Sequence, residues 1–450
     1  MSEPILTTFA KNAVDMLSAE DPTLYKLIEQ EYTRQTVSLA MVASCSNEHP
    51  SVLACEGTFT SNVTAEGYPG SRFHAGCEFV DQFEQLAIDR AKQAFGAQYV
   101  NVQPHTASTA NQVVTSRLVN PGETLMGMSL DAGGHLSHGA KVNISGAFYN
   151  AVGYDLDENG FIDYDQAEAL AIEHKPKLII CGTTAYPRII DWQKFRDIAD
   201  KVGAYLLADI THIAGLVIAG EHPSPIDIAH ITTTCTHKQL YGPRGGLIMM
   251  GKDHELPSPK GKGTLTNLMQ SGLFPFTQGA PIINKIVGKA RALDRANKPE
   301  FKVLAKRIVN LSRALAGAFV EEGITVVSGG SDNHIILANT MSSFGVTGIV
   351  AEKALEECNV IINKNWIPGD TLSPFVTSGI RIGTNSMAAR GLDESTMKQC
   401  ASLIARILKD VNVVSEKEYT LDVDKRDAYR AEVKEIAVKF PIPGYPLPSS

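Results

Sequence analysis

One lysine in this chain stands where an enzyme would present an amine to a carbonyl. In Ile231 to Gly246, ITTTCTHKQLYGPRGG, a β-branched run delivers Lys238 into a turn bounded by Gly242, Pro243, Gly245 and Gly246. The threonine run suits a buried strand, and the Gly and Pro residues force the backbone to turn behind it. Lys238 therefore falls at a strand end, where α/β enzymes collect reacting groups. Desolvated there, with His237 and Arg244 as neighbours, an ammonium loses proton affinity and the free amine can attack an aldehyde. A lysine before a turn is otherwise ordinary solvated surface, so the assignment rests on its partners.

Upstream, the apolar run Tyr205 to Ala208 reads as a fully buried parallel strand ending in Asp209. A carboxylate in that position needs a cationic partner. The protonated ring nitrogen of pyridoxal phosphate is such a cation, and an aspartate beside it keeps the ring an electron sink. His212 is close enough in sequence to address the same ligand. The competing reading of Asp209 is a helix N-cap. In NVQPHTASTAN (101–111), Ala107 and Ser108 fall between a strand and a helix. Free backbone N–H groups and the Ser108 hydroxyl could hold a phosphate there, or only cap the helix. GGHLSHG (133–139) offers His135 and His138 at a spacing that suits a metal, but no carboxylate or cysteine ligands accompany them, and no metal is assigned. Arg381, in SGIRIGT, has no acidic neighbour in sequence and so calls for an anion; a structural salt bridge is its plain alternative. Glu66, before Gly-Tyr-Pro-Gly, reads on its own as a solvated turn residue.

The elements that would hold these groups alternate in type. Candidate strands run from Gln98 to Gln103, Thr124 to Ser129, Lys177 to Gly182, Ala204 to Asp209, His230 to Thr236 and Gly246 to Met250, with helical stretches between them. That alternation predicts a mostly parallel sheet. We divide the chain into an N-terminal helical arm (1–60), a large domain (61–285) and a smaller α+β domain (286–450). In the last, a helix from Pro299 leads to strands 324–329, 334–340, 360–365 and 379–384, with a helix over 348–358. The ending FPIPGYPLPSS is proline-rich and predicted extended. With 450 residues, 44% of them hydrophobic, the chain can bury a large core. A net charge of -8 without a basic block argues against nucleic acid. Seven Cys without a CxxC pair indicate reduced thiols and a cytoplasmic address. MSEPILTTFAKNAVDML lacks the pattern of a secretory leader, and no segment reaches membrane-spanning length. No strand is followed by GxGxxG, which disfavours a nicotinamide dehydrogenase.

AEGYPGSRFHAGCEFVD (65–81), NVQPHTASTAN (101–111), GGHLSHG (133–139), DITHIAGLV (209–217), THKQLYGPRGG (236–246), NKNWIPGD (363–370) and SPFVTSGIRIGT (373–384) resemble, in order, the serine hydroxymethyltransferase family. The resemblance implies a fold-type I enzyme with a seven-stranded, mostly parallel sheet covered by helices on both faces. It implies pyridoxal phosphate bound covalently to Lys238 and tetrahydrofolate as co-substrate. Asp209, His212, Ala107, Ser108 and Thr184 would then contact the cofactor, with His135 stacked on its ring. Arg381 would grip the substrate carboxylate, with Ser44 nearby. Glu66 and His237 would serve catalysis, and Leu130, Gly134, Leu136 and Asn365 match folate-contacting positions. The loop FPFTQGAP (274–281), with Thr277, Gln278 and Gly279, resembles the segment that reaches the phosphate of a neighbouring subunit. A homodimer with shared active sites is therefore expected, and a tetramer is left open.

Departures from the family pattern are informative. Thr64 stands where the family has a tyrosine two residues before the glutamate, and His74 replaces the second Tyr of YPGxRYYGG. Cys235 replaces a threonine, Cys45-Ser46 displace the glutamate of ASEN, and Asn385-Ser386 take the place of Thr-Pro. Loss of the ring at Thr64 leaves room for extra carbon on the substrate. The expectation is hydroxymethyl transfer, or retro-aldol cleavage, acting on 2-methylserine with tetrahydrofolate as acceptor. Serine–glycine exchange is the first alternative and a folate-independent aldolase or transaldolase the second. A non-catalytic cofactor-binding relative is the third, against which Lys238, Asp209 and Arg381 all persist.

Overall fold

The structure is a computed structural model that describes residues 3–448; Met1, Ser2 and the Ser449–Ser450 end of the proline-rich tail lie outside the described residues. Its central sheet uses strands β1 (Tyr99–Asn101), β2 (Thr124–Met128), β3 (Asn150–Tyr154), β4 (Leu178–Gly182), β5 (Tyr205–Asp209), β6 (Ile231–Cys235) and β7 (Gly246–Met250). They lie in the order β1-β7-β6-β5-β4-β2-β3. β2 to β6 pair in parallel, while β7 runs antiparallel to both β6 and β1. The α/β class and the mostly parallel sheet agree with the sequence pattern. β3 is an addition to it: NAVGY buries only Tyr154 fully, so this edge strand carries no continuous apolar run.

Two helices, α1 (Ile5–Glu20) and α2 (Pro22–Val37), form the arm. Residues before 60 are not helical throughout, because Leu39–Ala40 pairs in parallel with Val360–Ile361. Helix α3 (Glu78–Phe95) precedes β1, and α4 (Ala107–Leu118) follows it. Strands buried on both faces sort their side chains by alternation. Leu207, Ile231 and Ile248 meet Ala110, Val113 and Val114 of α4. Leu206, Ala208, Leu247 and Met249 belong instead to the core shared with Ile286 and Leu293 of α5 (Ile283–Ala296). Each such aliphatic side chain is worth about 1.5 to 3 kcal/mol when fully buried, so the sheet is a rigid base for whatever its strand ends carry.

Beyond α5, helix α6 (Pro299–Glu321) leads to an antiparallel sheet of β8 (Thr325–Val326), β9 (Ile335–Asn339), β10 (Asn363–Asn365) and β11 (Gly379–Gly383), in the order β8-β9-β11-β10. Two of the expected strands are corrected here. The 324–329 run extends only to Val326 before a tight helical turn over Val327–Gly329. The 360–365 run divides, its first half pairing with the arm and its second joining β11. Among the described residues no helix is long and apolar enough to cross a membrane.

Candidate active site

The C-terminal ends of β4, β5 and β6 open on a cavity of about 250 Å³. Its wall includes Thr106, Ala107 and Ser108 from the start of α4, His135 and His138, Thr183 and Thr184 after β4, Asp209, Thr211 and His212 after β5, and Cys235, His237, Lys238, Arg244 and Gly245. The turn behind Lys238 is made as its sequence requires. Tyr241 adopts φ +50°, Gly242 donates to the Thr236 carbonyl at 2.9 Å, and Thr236 donates to the Gly245 carbonyl at 3.1 Å. A Cβ at Gly242 would crowd Ala292 of α5, which accounts for glycine there.

Lys238 Nζ lies 2.6 Å from His212 Nε2. Burial pushes the ammonium's proton affinity down, Cys235 opposes the fall, and Arg381 adds to it. Burial also keeps the His212 imidazole neutral, with Lys238 the largest charge reinforcing that effect. A neutral His212 can accept a hydrogen bond from Lys238, and it is the burial of the amine that favours an uncharged, nucleophilic nitrogen. Behind it the His334 ring stacks on His212 with centroids 5.8 Å apart and planes 19° apart.

Asp209 is buried and does not cap a helix: the helix that follows begins at Ala214 and its cap is Ile213. Its Oδ2 accepts from Asn111 Nδ2 at 2.8 Å and lies 3.0 Å from His138 Nε2, while Oδ1 accepts from the Thr211 N–H at 2.9 Å. Burial alone would raise its pKa, but the bonds from His138 and Thr211 outweigh that and hold the carboxyl below its usual range. The group is thus kept as an anion facing the cavity. Asn111 also accepts from Thr233 on β6 at 2.6 Å, so α4 and two strands brace the carboxylate. His138, open in the sequence between a ligand and a structural role, is a brace of Asp209. Asn111 was passed over, yet it closes the NVQPHTASTAN segment one helical turn after Ala107 and shares its face.

Arg381, on β11, reaches across from the small sheet: Nη1 donates to the Thr184 carbonyl at 2.5 Å and Nε to Asn363 Oδ1 at 3.1 Å. Burial pulls its pKa down to about 10. No carboxylate pairs with it among the described residues, so the alternative of a structural salt bridge does not form and the guanidinium is left without an anionic partner beside the cavity residue Thr184. Burial likewise holds the neighbouring His237 down to about 4, with Arg244 reinforcing it. Ser46 donates to the His237 carbonyl at 2.7 Å, which brings the half-buried Ser44 segment to the same side.

Other expected site residues are not part of this cavity. Thr64 and His74 are exposed and Glu66 is half-buried. The Glu66 carboxylate faces the loop carrying Thr277, Gln278 and Gly279, where a Cβ on Gly279 would lie 3.5 Å from Glu66 Oε1. Gln278 is tied to the loop before α4, accepting from the His105 N–H at 3.3 Å and donating to the Gln103 carbonyl at 3.0 Å. These residues form a second, outward-facing group. Leu130 and Leu136 are exposed at 38% and 43%, Gly134 packs against Met128 with no room for a side chain, and Asn365 sits in β10 opposite Gly379.

A buried amine, a braced carboxylate beyond it, a helix start and a guanidinium fit a flat, phosphorylated aldehyde and an amino-acid carboxylate. Sequence comparison is consistent with that geometry. The family model described as "Serine hydroxymethyltransferase" matches residues 17–404. A serine hydroxymethyltransferase of Acinetobacter baylyi is 48% identical over 427 residues, covering 95% of this chain and 98% of the relative. One of Chromohalobacter salexigens is 46% identical over 422 residues, covering 94% and 97% respectively. A third, of Alkalilimnicola ehrlichii, is 48% identical over 396 residues, covering 88% and 92%.

Proposed function

The chain belongs to the serine hydroxymethyltransferase family, and from that premise we propose that it transfers a hydroxymethyl group from a serine substituted at Cα, most simply 2-methylserine, to tetrahydrofolate. The family's enzymes are pyridoxal-phosphate-dependent hydroxymethyltransferases that use tetrahydrofolate as co-substrate, and this chain is an enzyme of that kind. When bound, the cofactor supplies an electron sink for the pair released as the Cα–Cβ bond breaks. Lys238 is the residue we assign to hold it, with His212 accepting a hydrogen bond from its amine. Asp209, braced by His138 and Asn111, would face the ring nitrogen, and Ala107 and Ser108 the phosphate. His135 would cover the ring, and Arg381 would bind the substrate carboxylate through a charge-assisted fork.

Glu66, Thr64 and His74, with Thr277, Gln278 and Gly279, would complete the site of a second copy of the chain. Their outward position supports this, as do the exposed Phe59 (53%), Phe73 (76%) and Phe276 (59%) in the same segments. Folate contact is proposed for Leu130, Gly134, Leu136 and Asn365.

The observation that carries the substrate reading is Thr64, small and exposed where family members have a phenol. The names of the relatives favour a second reading, serine–glycine exchange. Steady-state kcat/KM with tetrahydrofolate on 2-methylserine and on serine decides between them. A preference for 2-methylserine is expected; a preference for serine sinks the proposal and leaves the second reading. Turnover unaffected by omission of tetrahydrofolate would point to the folate-independent alternative.

A further inference from the structure

Lys289 is the one lysine among the described residues whose side chain is fully enclosed, at 2% exposure. It lies on the apolar face of α5 between Ile286 and Leu293, where a charged residue is costly unless every donor finds an acceptor. Its three N–H groups have three acceptors, all main-chain: the carbonyls of Val102 at 2.5 Å, Pro104 at 3.1 Å and Gly246 at 3.1 Å. Two of these belong to the loop that runs from β1 into α4, and the third opens β7. Gly246 in turn donates to the Pro104 carbonyl at 2.9 Å and packs so tightly on Thr106 that a Cβ there would collide with its carbonyl oxygen. A Cβ on Gly245 would strike the Lys289 side chain itself. The glycine pair after Arg244 and this lysine are therefore shaped for one another.

The loop they secure ends at Thr106, Ala107 and Ser108, the cavity wall contributed by α4. We propose that Lys289 is a positioning residue for the phosphate end of the cofactor site, acting by fixing the loop through Val102 and Pro104 that sets the first turn of α4. This rests on the reading that the phosphate lies at Ala107 and Ser108. A displacement of about 1 Å in such a supporting shell is enough to weaken a preorganised site severely, and deleting the three donors also takes one partner from each of three carbonyls.

The test compares the affinity of the cofactor-free full chain for pyridoxal phosphate and for pyridoxal, which lacks the phosphate, in the wild type, Lys289→Met and Lys289→Gln. We expect Lys289→Met to weaken pyridoxal phosphate by about 10-fold or more with pyridoxal changed little, and Lys289→Gln to fall between. Equal losses for both ligands, or no loss for either, overturn the proposal, as does failure of both variants to fold, which would assign Lys289 to stability alone. Ser108→Asp separates the underlying reading: it should abolish the preference for the phosphorylated ligand. If that preference survives in Ser108→Asp, the phosphate lies elsewhere and the site reading fails, whatever the Lys289 variants do.

Discussion

The chain carries two groups of chemically promising residues, and they are built in opposite ways. Around Lys238 every group is anchored: Asp209 has three donors and His212 meets the amine, while Arg381 is held by Thr184 and Asn363. Around Glu66 the motif is as dense, yet Thr64 and His74 are exposed and Phe73 projects at 76% exposure. The first group sits at strand ends of the large sheet, with Arg381 added from the small one, and the core beneath it is complete within one chain. The second sits on short turns that require a further surface to be covered. The site is thus complete within one chain around Lys238 and Asp209 and open around Thr64 and His74, two of the departures from the family pattern, while a third, Cys235, lines the complete half.

Removing the amine should have the largest effect. Lys238→Ala is expected to lower multiple turnover by about 1000-fold or more, and full turnover in that variant would end the assignment of the first group. Mixing tests whether the two groups belong to different subunits. Lys238→Ala and Glu66→Gln, each inactive alone, should regain about a quarter of wild-type activity when subunits exchange at equal amounts, because about half of the dimers are then mixed and each of these carries one intact site of two. No recovery after demonstrated exchange would place both groups in one subunit's site. Arg381→Lys keeps the charge and loses the fork, and should weaken amino-acid binding by about 10- to 150-fold, from about 1.5 to 3 kcal/mol, with cofactor affinity retained. Unchanged amino-acid binding would return Arg381 to a structural role.

Smaller effects sharpen the comparison. Thr64→Tyr should lower kcat/KM for 2-methylserine relative to serine by about 10-fold, since a methyl meeting a wall costs about 1 to 3 kcal/mol; an unmoved ratio would mean that the vacated space serves another purpose. The smallest concerns acid. Asp209 is held below its ordinary value of 3.8, so its contribution to stability is fully present above that pH and is lost as pH falls through the folded-state value. The stability advantage of wild type over Asp209→Asn, followed by denaturant unfolding, should therefore shrink below about pH 4. An advantage independent of pH down to about 2 would show that the carboxylate's charge is not what its partners stabilise.

Much was legible in the residues themselves. Asp209 and Lys238 could be placed at strand ends because apolar and β-branched runs report buried strands within a few residues, and because Gly and Pro mark the turn that follows. Those signals are local, so they survive without any knowledge of the fold. Edge strand β3 was invisible for the same reason: NAVGY takes its structure from pairing with β2, not from its own pattern. His138 and Asn111 were present in quoted motifs, but nothing in sequence says that residues so distant converge on the Asp209 carboxylate. Lys289 on an apolar helix face could not be told from a boundary residue until its three carbonyl partners came together. Chain order determines which groups exist and at which strand ends they fall. Which carbonyls a lysine satisfies, which carboxylate stays ionised and which motif is left facing outward are decided by long-range packing, because only the assembled core removes water from some groups and leaves it on others.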